Sequence, residues 1–349
     1  MVAHSIAIAL GGGGARGLAH LGVLEVLDDQ GIRPAFLSGT SMGGLIAALR
    51  ATGTDPDDIT ATARRFKLPS RFLPGRLLVW DTIFASAVPR LEGRTFEDLA
   101  TPLVVSAVDL MTGEEVALCS GSLLPAVRAT CAVPGVFPPE KVGARCLVDG
   151  GVTNMLPVDL AWACDPDIVV AVNIVASPPS TLRLDSAYCR AATRLGKVVA
   201  NPLTALFSYE VAMRAAEIAL DRQRAMAVAM TGPEVLIDVD LSHVAIDDFQ
   251  RFDEIVEAGR NATRRALPGI QAALSAPADG GERATADATL HIDPVCRMTV
   301  SSARARATGE REGKTFYFCS TSCRDIFARH GDRYVGATAL RPPIVRGKS

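Results

Sequence analysis

Ile6-Ala7-Ile8-Ala9-Leu10-Gly11-Gly12-Gly13-Gly14-Ala15-Arg16-Gly17 opens the chain with five apolar residues that run directly into a glycine loop. Ala35-Phe36-Leu37-Ser38-Gly39-Thr40-Ser41-Met42-Gly43 brings a second apolar run into a glycine turn after an intervening helical segment. Each apolar run is short enough for a buried strand, and each glycine turn is followed by a helical pattern. Leu18, Leu21, Leu24 and Leu27 recur at three-residue spacing and predict a helix over Leu18–Gln30, stopped by Gly31. A second helix is expected over Met42–Thr52, closed by Gly53. Strand, turn and helix repeated in this way imply parallel strands joined by crossover helices.

The rest of the chain continues the alternation. Asp55-Pro56-Asp57-Asp58 places a capping aspartate before a proline at the first helical position. Strands are predicted at Leu103–Asp109 and Val116–Cys119 around a Thr112-Gly113 turn, with a helix near Leu123–Cys131 and a proline-rich loop after it. Cys146–Val148 enters the turn Asp149-Gly150-Gly151, and Ile168–Ile174 reads as a central strand. Tyr188–Met230 is alanine-rich and helical in character, Val235–Val239 a late strand, and Asp248–Leu267 a further helix. The expected fold class is α/β, a mostly parallel sheet covered by helices on both faces.

The chain has 349 residues, 48% of them hydrophobic and 21% charged, which gives room for one large domain and a smaller one. A net charge of −2 offers no reason to expect nucleic acid as a partner. No apolar run reaches the roughly 18 residues of a membrane span, and the N-terminus lacks the features of a signal peptide, so a cytoplasmic protein is the expectation. Cys119, Cys131, Cys146, Cys164 and Cys189 are scattered without metal-ligand spacing and read as small buried hydrophobes. Residues 275–290 are small, polar and without periodicity, a linker between a domain over residues 1–274 and a compact unit over 291–335; residues 336–349 form a basic tail.

The chemistry lies in the turns. In Gly39-x-Ser41-x-Gly43, after a strand and before a helix, glycines permit a turn too sharp for side chains and hold the serine exposed at a helix N-terminus. The helix dipole favours negative charge there. The first loop also fits a dinucleotide fingerprint, Gly12-x-Gly14-x-x-Gly17, but that site needs an acidic residue about 20 positions on. No Asp or Glu occurs from Gln30 through Thr54, and no Gly-Lys-Ser/Thr follows the loop, so nucleotide binding is set aside. A bare glycine loop beside a serine turn instead supplies an anion hole and a nucleophile, the requirements of acyl transfer. A base for Ser41 is then needed. His4 is terminal, His291 and His330 lie in the cysteine unit, His20 reads as structural, and His243 has the right chain order without other signals. Asp149, in a glycine-permitted turn, is the remaining candidate. A carboxylate of ordinary pKa is a weak base for a hydroxyl, so such a dyad needs a desolvated aspartate.

With these motifs the chain resembles the patatin-like phospholipases. Gly12–Gly17, Gly39–Gly43 and Asp149–Gly151 occur in that family's order, and Ser106-Ala107-Val108-Asp109-Leu110 and Pro134-Gly135-Val136-Phe137-Pro138-Pro139 also resemble bacterial members. The likeness covers roughly residues 4 to 272. It implies a three-layer α/β/α fold and hydrolysis of lipid acyl esters through an acyl-enzyme. By that resemblance Ser41 is the nucleophile, Asp149 the general base, and the N–H groups of Gly12, Gly13 and Gly14 the oxyanion hole. Arg16 occupies the family's basic position, steadying the loop or meeting anionic head groups. Cys131 stands where serine is more usual. Phe66–Trp80 mixes Lys67, Arg71 and Arg76 with apolar residues, either a lid that meets anionic lipid at a membrane surface or a loop packed over the core.

His291-Ile292-Asp293-Pro294-Val295-Cys296 and Phe316-Tyr317-Phe318-Cys319-Ser320-Thr321-Ser322-Cys323 resemble a YHS domain, with Arg297 where that family has glycine. A unit of about 45 residues buries little core, and a metal is the usual staple. Cys296, Cys319 and Cys323 are the expected ligands, zinc the first choice and copper(I) the second. His291, Asp293 and His330 compete for the fourth position. Three alternatives stand beside the lipid-esterase reading: a non-catalytic lipid- or metal-responsive binding protein, and a thioesterase or a protease on the same dyad.

Overall fold

The computed structural model describes residues 4–66, 80–175, 202–276, 290–295, 299–302, 305–319 and 321–331. At its centre lies β1 (Ile6–Leu10), every residue of which is buried. A strand buried on both faces must be covered on both sides. It pairs in parallel with β2 (Phe36–Thr40) and with β7 (Ile168–Val175), Ile8 standing level with both Leu37 and Val170. The parallel set extends to β3 (Leu103–Asp109) beyond β2 and to β8 (Val235–Asp240) beyond β7. Three antiparallel strands complete the β3 side: β4 (Glu115–Leu118) and β6 (Arg145–Asp149) against β3, and β5 (Glu140–Val142) against β6. The order is β5-β6-β3-β2-β1-β7-β8, with β4 branching from β3.

The two faces follow the period of two in the strands. Ile6, Ile8, Leu10, Leu37, Val105, Val170 and Val172 join one core with α1 (Ala19–Asp29), α2 (Met42–Ala51) and α9 (Phe252–Ser275). Ala7, Ala9, Phe36, Val104, Val169 and Ala171 pack on the opposite face against Leu156 and α7 (Val158–Trp162), with Val228 of α8 (Pro202–Thr231) partly covering them. Each fully buried aliphatic side chain contributes about 1.5–3 kcal/mol, and β1 places five residues in these two cores. This is the expected three-layer α/β fold, its sheet mixed at one edge. Before β3 run α3 (Pro56–Ala63), capped by Asp55 as expected, and the short α4 (Trp80–Ile83) and α5 (Val88–Leu91); α6 (Leu123–Thr130) follows β4.

Two elements depart from the sequence reading. The last helix of the large domain was expected to end at Leu267, before Pro268, yet α9 continues to Ser275 with the proline inside it. A proline costs the helix one internal hydrogen bond, but Ile270 beyond it is fully buried against the core and holds the last turns in place. The proline-rich loop after α6 also contains β5, which returns through a tight turn at Gly143 to pair with β6.

The C-terminal unit is small and built mainly of short strands. β9 (Leu290–Ile292) pairs antiparallel with β10 (Thr299–Ser301), and β11 (Ala307–Arg311) with β12 (Lys314–Phe318), followed by α10 (Thr321–His330). Its core is Val300, Phe318, Cys319, Cys323 and Phe327, with Met230 from α8 packed against it. Residues 277–289 of the expected linker, the 336–349 tail, Cys189 and Cys296 lie outside the described residues.

Candidate active site

Ser41 sits between β2 and α2 with φ 55° and ψ −127°. A non-glycine residue at positive φ costs about 1–3 kcal/mol and persists only where its surroundings hold it. Here they do. The Ser41 N–H donates to Thr130 Oγ1 at 3.0 Å, and the Cys131 thiol donates to the Ser41 carbonyl at 3.2 Å. The turn is as sharp as the motif requires, because a Cβ on Gly43 would strike the carbonyl oxygens of Leu10 and Gly11.

Asp149 reaches Ser41 through the sheet register. Thr40 stands level with Ser106 across β2 and β3, and the neighbouring Ala107 stands level with Asp149 across β3 and β6. Residues far apart in the chain thus share one edge of three adjacent strands, about two strand spacings of 4.8 Å apart. The Asp149 carboxyl is buried; its Oδ1 accepts the Gly151 N–H at 2.7 Å. Burial pushes its pKa up to about 7, against the opposing pull of the Ser41 hydroxyl and the Gly151 N–H. Oδ2 is buried too and makes no hydrogen bond of ordinary length and angle, so the Ser41 contact is a near approach rather than a formed bond. Catalytic hydrogen bonds are often loose before substrate binds.

The glycine loop is anchored from three sides. Gly11 N–H donates to Val172 O at 3.1 Å, Gly12 N–H to Met155 O at 2.9 Å and Ala15 N–H to Ile246 O at 2.7 Å. The first of the three expected donors, Gly12, is therefore already engaged by the fold. No protein acceptor takes the N–H of Gly13 or Gly14 among the described residues. Gly14 has φ +58°, and a Cβ there would collide with Ile246 O. His20 is fully buried under the loop, its Nε2 2.7 Å from Gly11 O, and burial lowers its pKa to about 4. It is a neutral structural prop, as its sequence position suggested. Arg16 is also buried: Nε donates to Val244 O at 2.6 Å, and Nη2 lies 3.5 Å from Glu217 of α8. Its side chain steadies the loop and does not face solvent.

The other candidates separate cleanly. His243 is exposed at the surface, with Nε2 2.8 Å from Glu254 Oε1. Cys131 lies inside the site; burial and the neighbouring Asp149 push its thiol well above the ordinary range, so it serves as a neutral donor. Phe66 and Trp80, the ends of the segment read as a lid or packed loop, are both buried, Phe66 and Trp80 ringing Phe84 at centroid distances of 4.9 and 4.8 Å. Residues 67–79 between them, with Lys67, Arg71 and Arg76, lie outside the described residues. Thr130, Asn154 and Met155 also shape the site and were not singled out from sequence. Their contributions run largely through backbone atoms and tertiary contacts, which no local motif announces.

In the C-terminal unit, Asp293, Cys319 and Cys323 bring one ligand atom each within 4.8 Å of one another. A tetrahedral metal with bonds of about 2.3 Å to sulfur sets its thiolates about 3.8 Å apart. The two sulfurs here are 3.7 Å apart, a spacing that fits such an ion. Asp293 accepts the Val295 N–H through Oδ1 and the Cys319 N–H through Oδ2, each at 2.9 Å. Of the three competitors for the fourth position, Asp293 is the one grouped with the sulfurs. His291 stacks on Tyr317 at 4.0 Å, and the His330 side chain lies outside the description.

Comparison with known proteins gives the family of each unit. Residues 8–162 match the family model described as patatin-like phospholipase, and residues 291–338 match that of the YHS domain. The chain is 30% identical over 285 residues to an uncharacterized NTE family protein of Mycobacterium tuberculosis, covering 76% of this chain and 46% of that protein. It is 28% identical over 284 residues to patatin-like phospholipase domain-containing protein 7 of Rattus norvegicus, covering 74% of this chain and 20% of the relative. The chain thus spans less than half the length of these relatives. Among solved structures, VipD from Legionella pneumophila aligns with a TM-score of 0.46 at 13% identity, over 76% of this chain and 67% of that one. No helix among the described residues is long and apolar enough to cross a membrane. On the matched regions and the architecture together, the chain carries a patatin-like phospholipase domain at its N-terminal end and a YHS domain at its C-terminal end.

Proposed function

We propose that the large domain is a serine acyl hydrolase acting on acyl esters of lipids through a Ser41–Asp149 dyad. The observation that carries this reading is the desolvated Asp149 carboxyl, with an unbonded Oδ2, beside a serine held at positive φ. Burial raises the carboxyl toward the pKa at which it can both take and return a proton near neutral pH.

This arrangement supports the following course. Ser41 Oγ attacks the ester carbonyl carbon while its proton passes to Asp149. The carbonyl oxygen, now negative, is met by the N–H groups of Gly13 and Gly14, each donor contributing about 3–4 kcal/mol to the barrier reduction. Collapse expels the alcohol, which takes the proton from Asp149 and leaves an acyl group on Ser41. Asp149 then removes a proton from water, which attacks the acyl carbonyl; the acyl–Oγ bond breaks, Ser41 Oγ takes the proton back from Asp149, and the acid is freed. The positive end of α2 favours the developing charge throughout. Gly12 supports the loop through Met155 O, and Arg16 holds its far side, so the donors stay aimed without reorganisation.

In the C-terminal unit, Cys319, Cys323 and Asp293 would hold a zinc or copper(I) ion, with Cys296 as a further thiolate ligand. A bound ion there would supply cross-linking of a small core, worth about 10–16 kcal/mol in thiolate sites, and no step of the hydrolysis is routed through it. Peripheral contact with a lipid surface belongs to the same reading.

Short-chain nitrophenyl ester hydrolysis tests the proposal. Wild type should turn over the ester and label with a fluorophosphonate, and Ser41→Ala and Asp149→Asn should each lose turnover. A wild-type protein that is inert to esters and unlabelled would remove the hydrolase reading and favour a binding protein.

A further inference from the structure

Asn154 and Met155 connect all three turns of the site through groups on two consecutive residues. The Asn154 N–H donates to Gly150 O at 2.8 Å, inside the base turn. The Asn154 carbonyl accepts from Thr40 Oγ1 at 2.8 Å, one residue before Ser41. The Met155 carbonyl accepts from Gly12 N–H at 2.9 Å, and its side chain fills the space facing Gly12 and Gly151. Nucleophile, base and glycine loop therefore share a single stretch of backbone.

That stretch is fixed by the Asn154 side chain. Its Nδ2 donates to Glu115 Oε1 at 2.9 Å and to Asp159 Oδ1 at 2.8 Å, so both amide hydrogens are used. Ser106 Oγ donates to the same Glu115 oxygen at 2.7 Å. Glu115 is half-buried and Asp159 buried, and loss of solvent together with the neighbouring Asp159 pushes the Glu115 pKa up to about 8. The amide nitrogen thus faces both carboxyls at once. Glu115 lies on β4, Asp159 on α7 and Ser106 on β3, all rigid elements, and Asn154 hangs from them by bonds that lock its side chain.

We propose that Asn154 is a positioning residue for the hydrolysis: anchored by Glu115 and Asp159, it holds Thr40 and Gly150 so that Ser41 and Asp149 keep their mutual geometry. The proposal rests on the serine-hydrolase reading above. A displacement of about 1 Å between reacting groups costs on the order of 10²-fold in rate, so losses should fall on kcat. Asn154→Ala should lower kcat for a nitrophenyl ester about 10–100-fold and change KM less than about 3-fold. Thr40→Val removes only the hydroxyl that Asn154 O accepts, and should lower kcat by a smaller factor in the same direction, while Thr40→Ser should restore it.

The assay is steady-state kinetics with thermal melts on each variant. Wild-type turnover that disappears in Ser41→Ala is required first; if that fails, the hydrolase reading fails, which is a different result. With that activity in hand, a folded Asn154→Ala protein with wild-type kcat would overturn the proposal. So would a loss confined to KM. If Asn154→Ala does not fold, Thr40→Val and Thr40→Ser decide: equal kcat in these two variants overturns the proposal, and loss with hydroxyl rescue supports it.

Discussion

Asp149→Asn should abolish hydrolysis and yet make the protein more stable at alkaline pH. Burial carries the Asp149 carboxyl from the ordinary 3.8 to about 7. Between those values the folded protein keeps a proton that the unfolded chain releases, so folding stability falls as pH rises, by about 1.4 kcal/mol per pH unit. The contribution is nil below the unfolded pKa and reaches roughly 4 kcal/mol once pH exceeds 7. Asparagine carries no charge at any pH, and its Oδ1 can still accept the Gly151 N–H. The stability difference, variant minus wild type, should therefore grow by about 2.5 kcal/mol between pH 5 and pH 8. Glu115, which burial pushes up to about 8, titrates in both proteins and cancels from the difference. Urea unfolding of the two proteins at both pH values measures it. A difference that stays constant across that range would show that Asp149 is not a desolvated carboxyl, and the argument for it as the base would fall with it.

Other expectations follow from the same packing. Gly43→Ala places a methyl against the Leu10 and Gly11 carbonyls, so a melting temperature many degrees lower and loss of ester turnover are expected together; a variant that melts like wild type would contradict the turn geometry. His20 has its pKa lowered by burial to about 4, so its share of stability is present above pH 6.5 and lost as pH falls toward 4, about 3 kcal/mol in all. Replacing it with glutamine should remove that acid sensitivity, read as a stability gap that narrows on acidification. Cys319→Ser should abolish tight binding of zinc or copper(I) by the purified chain, measured by metal analysis after reducing purification; undiminished metal content would move the site elsewhere.

Legibility in the sequence tracked how local the cause was. The buried run of β1, the cap at Asp55 and the turn around Ser41 are set by residues within a few positions of one another, and all were readable directly. Asp149 was readable by elimination, because histidines are few and poorly placed. Thr130, Asn154 and Met155 were not, because they act through long-range contacts, the Thr130 hydroxyl on the Ser41 N–H and the Asn154 and Met155 carbonyls on Thr40 and Gly12, which only the tertiary fold brings together. The engagement of Gly12 by Met155 was hidden for the same reason. The helix through Pro268 shows the opposite failure, a correct local rule overruled by burial of Ile270.

The distribution of unfavourable features bears on the choice between an enzyme and a vestigial binding domain. Ser41 occupies a backbone conformation that costs about 1–3 kcal/mol. Asp149 costs roughly 4 kcal/mol more in its charged form than an exposed aspartate would. Glu115 and Asp159 add two neighbouring carboxyls, both bonded to Asn154. These costs are large against a typical folding stability of about 5–15 kcal/mol, and they are concentrated within one side of one sheet. Single substitutions open to any lineage, such as Asp149→Asn, would relieve much of the burden without disturbing the core. A domain retained only to bind lipid or respond to metal would have no use for that strain, whereas a nucleophile and base aimed at one carbonyl require it. The energetic pattern thus favours the proposed hydrolase reading over a retained binding domain.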